Sequence, residues 1–407
     1  MKDVIFVVAI IALTGFGLVL WRIPFLEKLD RWAQYAIAFA GGCVIAAVMM
    51  FVFSLVHIAW TRGTLLIPLV LFAVLRRGRG FASPEKSGSS AAALQTVFWL
   101  TVIGVLTARE TCGDLLYFWG PKGQAFYTAE GIDTKFLSFQ HYSLMHPDYP
   151  PLLPLVYAWG AAMAHRFSWW GALFLTPIAL LATLLAFRGI TRNTRYTALL
   201  AALLGFGFAK GMVAGAGEPL LLLFETIALA LLTFHGDDDG ALLLAAIALA
   251  GAAWVKVEGA AFVAVVVFAY AVTRRRIVRP LLVAAPAAVL FLAWLLFAKH
   301  YHLIDQYGRA GQTAHFELLG GVLRDTAKTA SYGTFYLPWL SVLAPLPFLR
   351  NFRRAALPLL TAGGLFAAVL FFYLHQPDPG FWIASSAERV LLSPLMALLV
   401  ATAAASE

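Results

Sequence analysis

Residues 214–259 read AGAGEPLLLLFETIALALLTFHGDDDGALLLAAIALAGAAWVKVEG. Two apolar runs, 219–234 and 241–254, flank the polar turn His235-Gly-Asp-Asp-Asp-Gly240, and charge returns at the far ends, at Glu218 and at Lys256 with Glu258. Runs of this length and polarity read as helices that cross a bilayer and turn back. The same pattern extends in both directions, with candidate spans at 4–21, 35–60, 64–75, 91–108, 169–187, 196–214, 258–273, 280–298, 332–349, 356–374 and 389–403. The composition agrees: 61% of the 407 residues are hydrophobic and 13% charged, with a mean hydropathy of +0.81. Soluble enzymes and disordered chains are excluded together. The fold expected is an all-α polytopic transmembrane helical bundle of about 13 spans with external juxtamembrane helices.

The net charge of +9 would suggest nucleic acid in a soluble protein, but here the cations serve topology and lipid phosphates, and no nucleic-acid partner is expected. Cys43 and Cys112 give no disulfide framework, and neither reads as catalytic. Val4 to Leu20 lacks a small-residue cleavage site and reads as a retained helix.

Basic clusters at Arg76, Arg77 and Arg79, at Arg188, Arg192 and Arg195, at Arg274, Arg275, Arg276 and Arg279, and at Arg350, Arg353 and Arg354 should stay cytoplasmic. An even number of spans must separate each pair of clusters. Between Arg79 and Arg188 the spans 91–108 and 169–187 already satisfy this, so the apolar stretch 150–164 should not cross, and should lie at the outer surface or re-enter. That makes 109–168 one large external loop. Glu218, Lys256 with Glu258, the segment 299–331 and the segment 375–388 fall on the same outer side, and an odd number of spans puts the N-terminus there too.

Charge within or beside apolar spans is costly, so it needs partners or a water-filled cavity. Here it gathers on one side: Glu110, Asp114, Lys122, His141, His146, Asp148, Glu218, Lys256, Glu258 and Arg389 all fall at external span ends or in the joining loops. Alternating-access transporters more often place such residues near the bilayer midplane. In the first loop, Asp114 to Trp119 reads as a short amphipathic helix with Tyr117 and Trp119 as headgroup-level anchors. Gly120-Pro121 should break the chain, and Pro121 should start a helix with Lys122 in its first turn, a ready site for a lipid phosphate. His146-Pro-Asp-Tyr-Pro-Pro-Leu-Leu-Pro154 carries four prolines in nine residues, a rigid connection holding His146, Asp148 and Tyr149 in fixed directions.

At these residues the chain resembles the GT-C superfamily of integral-membrane glycosyltransferases, which includes protein O-mannosyltransferases and lipid A aminoarabinose transferase. The resemblance rests on Asp114-x4-Trp119-x-Pro-Lys122-Gly, His146-Pro-Asp-Tyr-Pro-Pro, Ala214-Gly-Ala-Gly-Glu218-Pro-Leu, Val255-Lys256-Val-Glu258-Gly259 and Ser386-Ala-Glu388-Arg389-Val-Leu-Leu-Ser-Pro394. It covers roughly residues 91–400 and implies a division into three extra N-terminal helices (1–90), a GT-C-like seven-span core (91–298), an external amphipathic loop (299–331) and C-terminal transmembrane helices (332–407). Glu218 stands where the family usually has Asp, and no large soluble domain follows the second loop.

The resemblance implies transfer of a sugar from a polyprenyl phosphate or pyrophosphate to an acceptor hydroxyl or amine, at the periplasmic face of a bacterial inner membrane. Asp114 is then the general base, with Glu110, four residues earlier, as the fallback and Glu218 orienting acceptor or base. Lys122, Lys256 and Arg389 form the phosphate clamp, and His146 and Tyr149, with Asp148 and Glu258 beside them, bind sugar or phosphate. No cofactor is assigned: Asp114, Glu218 and His146 could hold a divalent metal, but their spacing is not that of a tight ligand set. A transporter or flippase of lipid-linked sugars is the alternative, and a structural subunit of an envelope-assembly complex the third.

Among the remaining features, Asp237 to Asp239 reads as a solvated cytoplasmic turn. Lys210 and Glu225 lie in adjacent spans and would neutralise each other. Gly205 and Gly207 suit close helix packing. Residues 315–331 read as an interfacial amphipathic helix that could gate a lipid entrance.

Overall fold

The computed structural model describes residues 1–75, 113–139, 145–208, 214–303, 314–333, 352–376 and 378–406. Among them every regular element is helical. The expected spans 91–108 and 332–349 (bar 332 and 333), Arg76 to Arg79, Arg109, Glu110, Cys112, His141, Lys210 and Arg350 lie outside the described residues.

In chain order the helices are α1 (Lys2–Ala12), α2 (Thr14–Gly17), α3 (Arg31–Leu55), α4 (Arg62–Leu75), α5 (Gly120–Thr128), α6 (Thr134–Ser138), α7 (Leu152–Ala164), α8 (Trp169–Leu173), α9 (Leu175–Thr191), α10 (Thr194–Phe208) and α11 (Glu218–His235). They continue with α12 (Asp239–Val255), α13 (Val257–Arg274), α14 (Val278–His300), α15 (Leu319–Gly333), α16 (Phe352–Leu374), α17 (Pro379–Val390) and α18 (Leu392–Ala405). Eight helical stretches among the described residues are long and apolar enough to cross a membrane, and three shorter apolar helices accompany them. The molecule is an all-helical, multi-pass bundle. Eight is fewer than the 13 expected: two expected spans are largely undescribed, α4 and α10 run up to undescribed residues, and α12 falls short of membrane length.

Local chemistry sets the helix ends. Asp30 caps α3 through Ala33 N–H, and Asp238 caps α12 through the N–H groups of Gly240 and Ala241. The apolar run 35–60 predicted a helix to Trp60, yet α3 stops at Leu55 because His57 turns left-handed, at φ 57°. Trp60 then folds back to donate from Nε1 to the Met50 carbonyl at 3.0 Å. The expected last span, 389–403, is α18 with the end of α17, the two joined at Leu391, and α17 takes up most of the segment 375–388 expected to be external.

The centre of the bundle is α12, a helix rich in alanine and leucine that packs against α3, α11, α13 and α14. Small residues let helix backbones approach where lipid supplies no hydrophobic drive. The closest such approach is between α2 and α3, where a Cβ at Gly17 would sit 1.7 Å from the Ala38 carbonyl oxygen and one at Gly42 would sit 2.0 Å from that of Leu13.

The bundle has two distinguishable ends. At one, Lys28 pairs with Asp238 at 2.6 Å, Arg274 with Asp237 at 3.2 Å and Arg279 with Asp239 at 3.6 Å, all exposed. The expected solvated turn is thus tied to three basic neighbours. At the other end, Asp3 accepts from Arg166 and Ser168, each at 2.6 Å, and Gly215 N–H donates to Thr176 Oγ1 at 3.1 Å. The N-terminus therefore lies at the end where α8, α9 and α11 begin. Residues 152–164 form α7, which is buried along its whole length against α1, α3 and α5. At about 20 Å it is too short to cross a bilayer.

Gly42→Ala should lower stability by about 1–3 kcal/mol through overpacking, read as a lower thermal midpoint in detergent. A variant as stable as the parent would show that the α2–α3 approach is not tight.

Candidate functional site

Asp114 precedes a single π-helical turn, Leu115–Trp119, that runs directly into α5. The expected break at Gly120-Pro121 is absent: the wider π turn takes up the site where proline offers no N–H, and π turns of this kind are frequent at functional sites. A second expectation is corrected here. Tyr117 is exposed as a headgroup anchor would be, but Trp119 is buried, packed against Tyr149 at 5.7 Å between ring centroids.

Four remote parts of the chain bring charge to one place. Arg389, near the end of α17, donates from Nη1 to Asp114 Oδ2 at 2.6 Å and lies 3.7 Å from Glu218 Oε1. Lys256 donates from Nζ to Glu218 Oε1 at 3.0 Å and pairs with Glu258 Oε1 at 3.2 Å. Lys256 is the single extended residue between α12 and α13, at φ −151° and ψ 163°, which turns its side chain under the head of α11. Gly217 permits the approach, since a Cβ there would sit 2.9 Å from Lys256 Cδ. Lys256 and Glu218 are buried, while Glu258, Arg389 and Asp114 are partly open. Burial alone would strip the Lys256 ammonium of its proton, but Glu218, Glu258 and Asp114 outweigh it and hold the proton above the usual lysine range.

A second group abuts the first. The His146 ring stacks on Tyr149 at 4.6 Å and meets Phe118 edge-on at 4.8 Å. Lys122, buried, donates from Nζ to the His146 carbonyl and lies 5.1 Å from the Trp119 ring centroid and 5.9 Å from that of Tyr149. Trp294 of α14 donates from Nε1 to the Asp148 carbonyl at 2.6 Å and so ties the proline-rich segment to the bundle. Burial pulls Lys122 down to about 7 against the opposing pull of Asp148. Burial, then the charges of Lys122 and Lys256, hold His146 near 4, so its ring is neutral at pH 7.

Of the residues singled out in the sequence, Asp114, Glu218, Lys256, Glu258 and Arg389 converge. Lys122, His146, Asp148 and Tyr149 form the adjoining aromatic group, with Lys122 turned inward beside the charge cluster. Among the described residues no three His, Cys, Asp or Glu side chains are placed to hold a metal ion. Asp114 and Glu218 face Arg389 instead.

Two further groups bear on the site, and Lys210, the partner expected for Glu225, lies outside the described residues. Glu225 is buried in α11 with Ser393 as its hydrogen-bonding partner, two turns below Glu218. Its seven-residue spacing from Glu218 was the available signal. Tyr373 Oη and Ser386 Oγ, 3.0 Å apart, flank the cluster from α16 and α17, and nothing in their spacing announced it.

Comparison with known proteins gives no matching family model, curated protein or solved structure. The site is therefore read from its own residues.

Lys256→Met should destabilise the protein by about 3–5 kcal/mol, because Glu218 is left buried beside a more distant Arg389. Adding Glu218→Gln should recover part of that loss, and additive losses in detergent unfolding would show that the two do not form a coupled pair. His146 titrates lower in the folded chain (about 4) than in the unfolded one (about 6.5), so the folded state binds fewer protons between those values. Stability should accordingly fall by on the order of 2–3 kcal/mol as pH drops through that window. His146→Asn, which tolerates the left-handed φ of 48° at this position, should flatten the pH profile of the thermal midpoint. An unchanged profile would assign the loss to other groups.

Proposed function

We propose that this protein is a membrane-embedded glycosyltransferase that moves a sugar from a polyprenyl-phosphate or pyrophosphate donor to an acceptor at the periplasmic face of a bacterial inner membrane. The observation that carries the reading is the meeting of Asp114 with Arg389 and Lys256 at one end of an otherwise apolar bundle. Sugar transfer from a lipid phosphate requires a carboxylate to accept the acceptor's proton and cations to receive the charge that develops on the leaving phosphate.

In the resting arrangement Arg389 occupies Asp114. A donor phosphate competes for that guanidinium, which binds phosphate oxygens in the same forked geometry as a carboxylate. Donor binding thereby frees Asp114 to act. The acceptor oxygen or nitrogen attacks the anomeric carbon and passes its proton to Asp114. The carbon–oxygen bond to phosphate breaks, and its electron pair stays on the phosphate oxygen between Arg389 and Lys256. His146, stacked on the buried Tyr149, offers the approach a neutral, aromatic surface suited to a sugar ring. A lipid approach is supported by α15 and the 3-10 turn that precedes it, Phe316–Leu318: α15 buries Val322 and Thr326 against α16 and α17, and the two together expose Phe316, Leu318, Leu319 and Leu323 beside Arg324 and Lys328.

A specific observation favours a second reading, a transporter or flippase of lipid-linked sugars: Glu225 is an acidic group buried within a span, where ionisable residues often line a transport route. Protein in liposomes that moved such lipids between leaflets without ever releasing the phosphate carrier would establish it.

Asp114→Asn should lower the release of free polyprenyl phosphate from lipid-linked sugars by roughly 10²–10⁴-fold while leaving folding and donor binding intact. Full activity in this variant would remove Asp114 from the role of base.

A further inference from the structure

Both cations of the charge cluster are already held by its own carboxylates. Asp114, Glu218 and Glu258 supply three negative charges, and Lys256 and Arg389 supply two positive ones. Neither of these two cations is spare, so a phosphate bound at Lys256 and Arg389 takes them from carboxylates that already hold them.

The three carboxylates differ in what release would mean for them. The side chains of Asp114 and Glu258 are 15% and 38% exposed, so water can replace the lost partner. The Glu218 side chain is 6% exposed. Its Oε1 takes both cations, and its Oε2 has no hydrogen-bond partner among the described residues. The groups that face it are Lys256, Arg389 and, on its own helix, Glu225, with Glu258 behind Lys256. None supplies a third cation. A carboxylate left without a counter-charge in an apolar bundle is neutralised by a proton sooner than it remains ionised.

We propose that binding of a phosphate headgroup at this cluster is coupled to uptake of a proton by Glu218. The proton comes from water through the partly open side of Glu258 and Arg389, and it offsets part of the negative charge that the phosphate adds. Linkage makes the effect reciprocal: phosphate binds more tightly as pH falls and weakens as pH rises. This rests on the anion-binding role proposed above for Lys256 and Arg389, and holds equally for transfer and for transport.

The test is calorimetric titration of the full chain in detergent with farnesyl phosphate at pH 7.5, where a phosphate monoester is largely the dianion already. Buffers of different ionisation enthalpy then count the protons exchanged. The expected result is uptake of about one proton per phosphate bound. Glu218→Gln, which keeps shape without the titrating group, should bind with no uptake, and Glu225→Gln should retain it. Wild-type binding with no proton uptake overturns the coupling and leaves the anion site standing. Absence of binding overturns both. Uptake that persists in Glu218→Gln overturns the assignment to Glu218, and should that variant fail to fold, the wild-type proton count still decides the coupling.

Discussion

Lys256 interrupts two apolar helices with a charge, and the arrangement around it follows from the need to satisfy that charge. Its ammonium is buried, so it must have anionic partners, and it finds them in Glu218 at 3.0 Å and Glu258 at 3.2 Å. Glu218 heads α11 and Glu258 lies in the first turn of α13. Both sit near free N–H groups that favour a negative side chain. The pair therefore clamps the heads of two helices to the loop between α12 and α13. Arg389 extends the clamp across to Asp114, which ties the π turn of the first loop to the C-terminal helices.

The same economy of partners accounts for the chemistry proposed at this end of the bundle. A cation that is fully neutralised is stable but idle, and a carboxylate held by arginine is a poor base. An anionic ligand changes both at once, because it offers the cations a different partner. The resting ion pairs are thus a closed state of the site. The aromatic group around Lys122 and His146 behaves differently: Lys122 and His146 are pushed toward neutrality by burial. It presents rings and carbonyl groups beside a cluster of full charges, a division that suits a ligand with an uncharged ring and a charged head.

The helical hairpin at 214–259 was legible because lipid imposes a simple rule: a long apolar run in which every backbone group must be satisfied internally forms a helix. The stretch 150–164 was read as one that does not cross, from charge parity; that α7 packs within the bundle along its whole length could not be read from charge. Trp119 was misread because an aromatic residue beside a loop serves equally as an interface anchor or a core residue, and only its packing on Tyr149 distinguishes them. The π turn at Leu115–Trp119 had no sequence signature beyond the Gly-Pro that follows it.

What the sequence by itself determined was the all-helical, membrane-spanning class, the grouping of charge at span ends, and the residue types able to handle a phosphate. These follow from hydropathy, charge and local geometry, which act over a few turns of chain. Only the tertiary structure decided which of those charges meet. Asp114 and Arg389 are 275 residues apart, and Glu218 and Lys256 are separated by 38. Their pairing depends on helix packing, on the missing Cβ at Gly217 and on the bend at Leu391, none of which is expressed in the spacing of the charged residues. Burial decided the rest, turning Lys122 inward, neutralising His146 and leaving Glu218 dependent on its two cations.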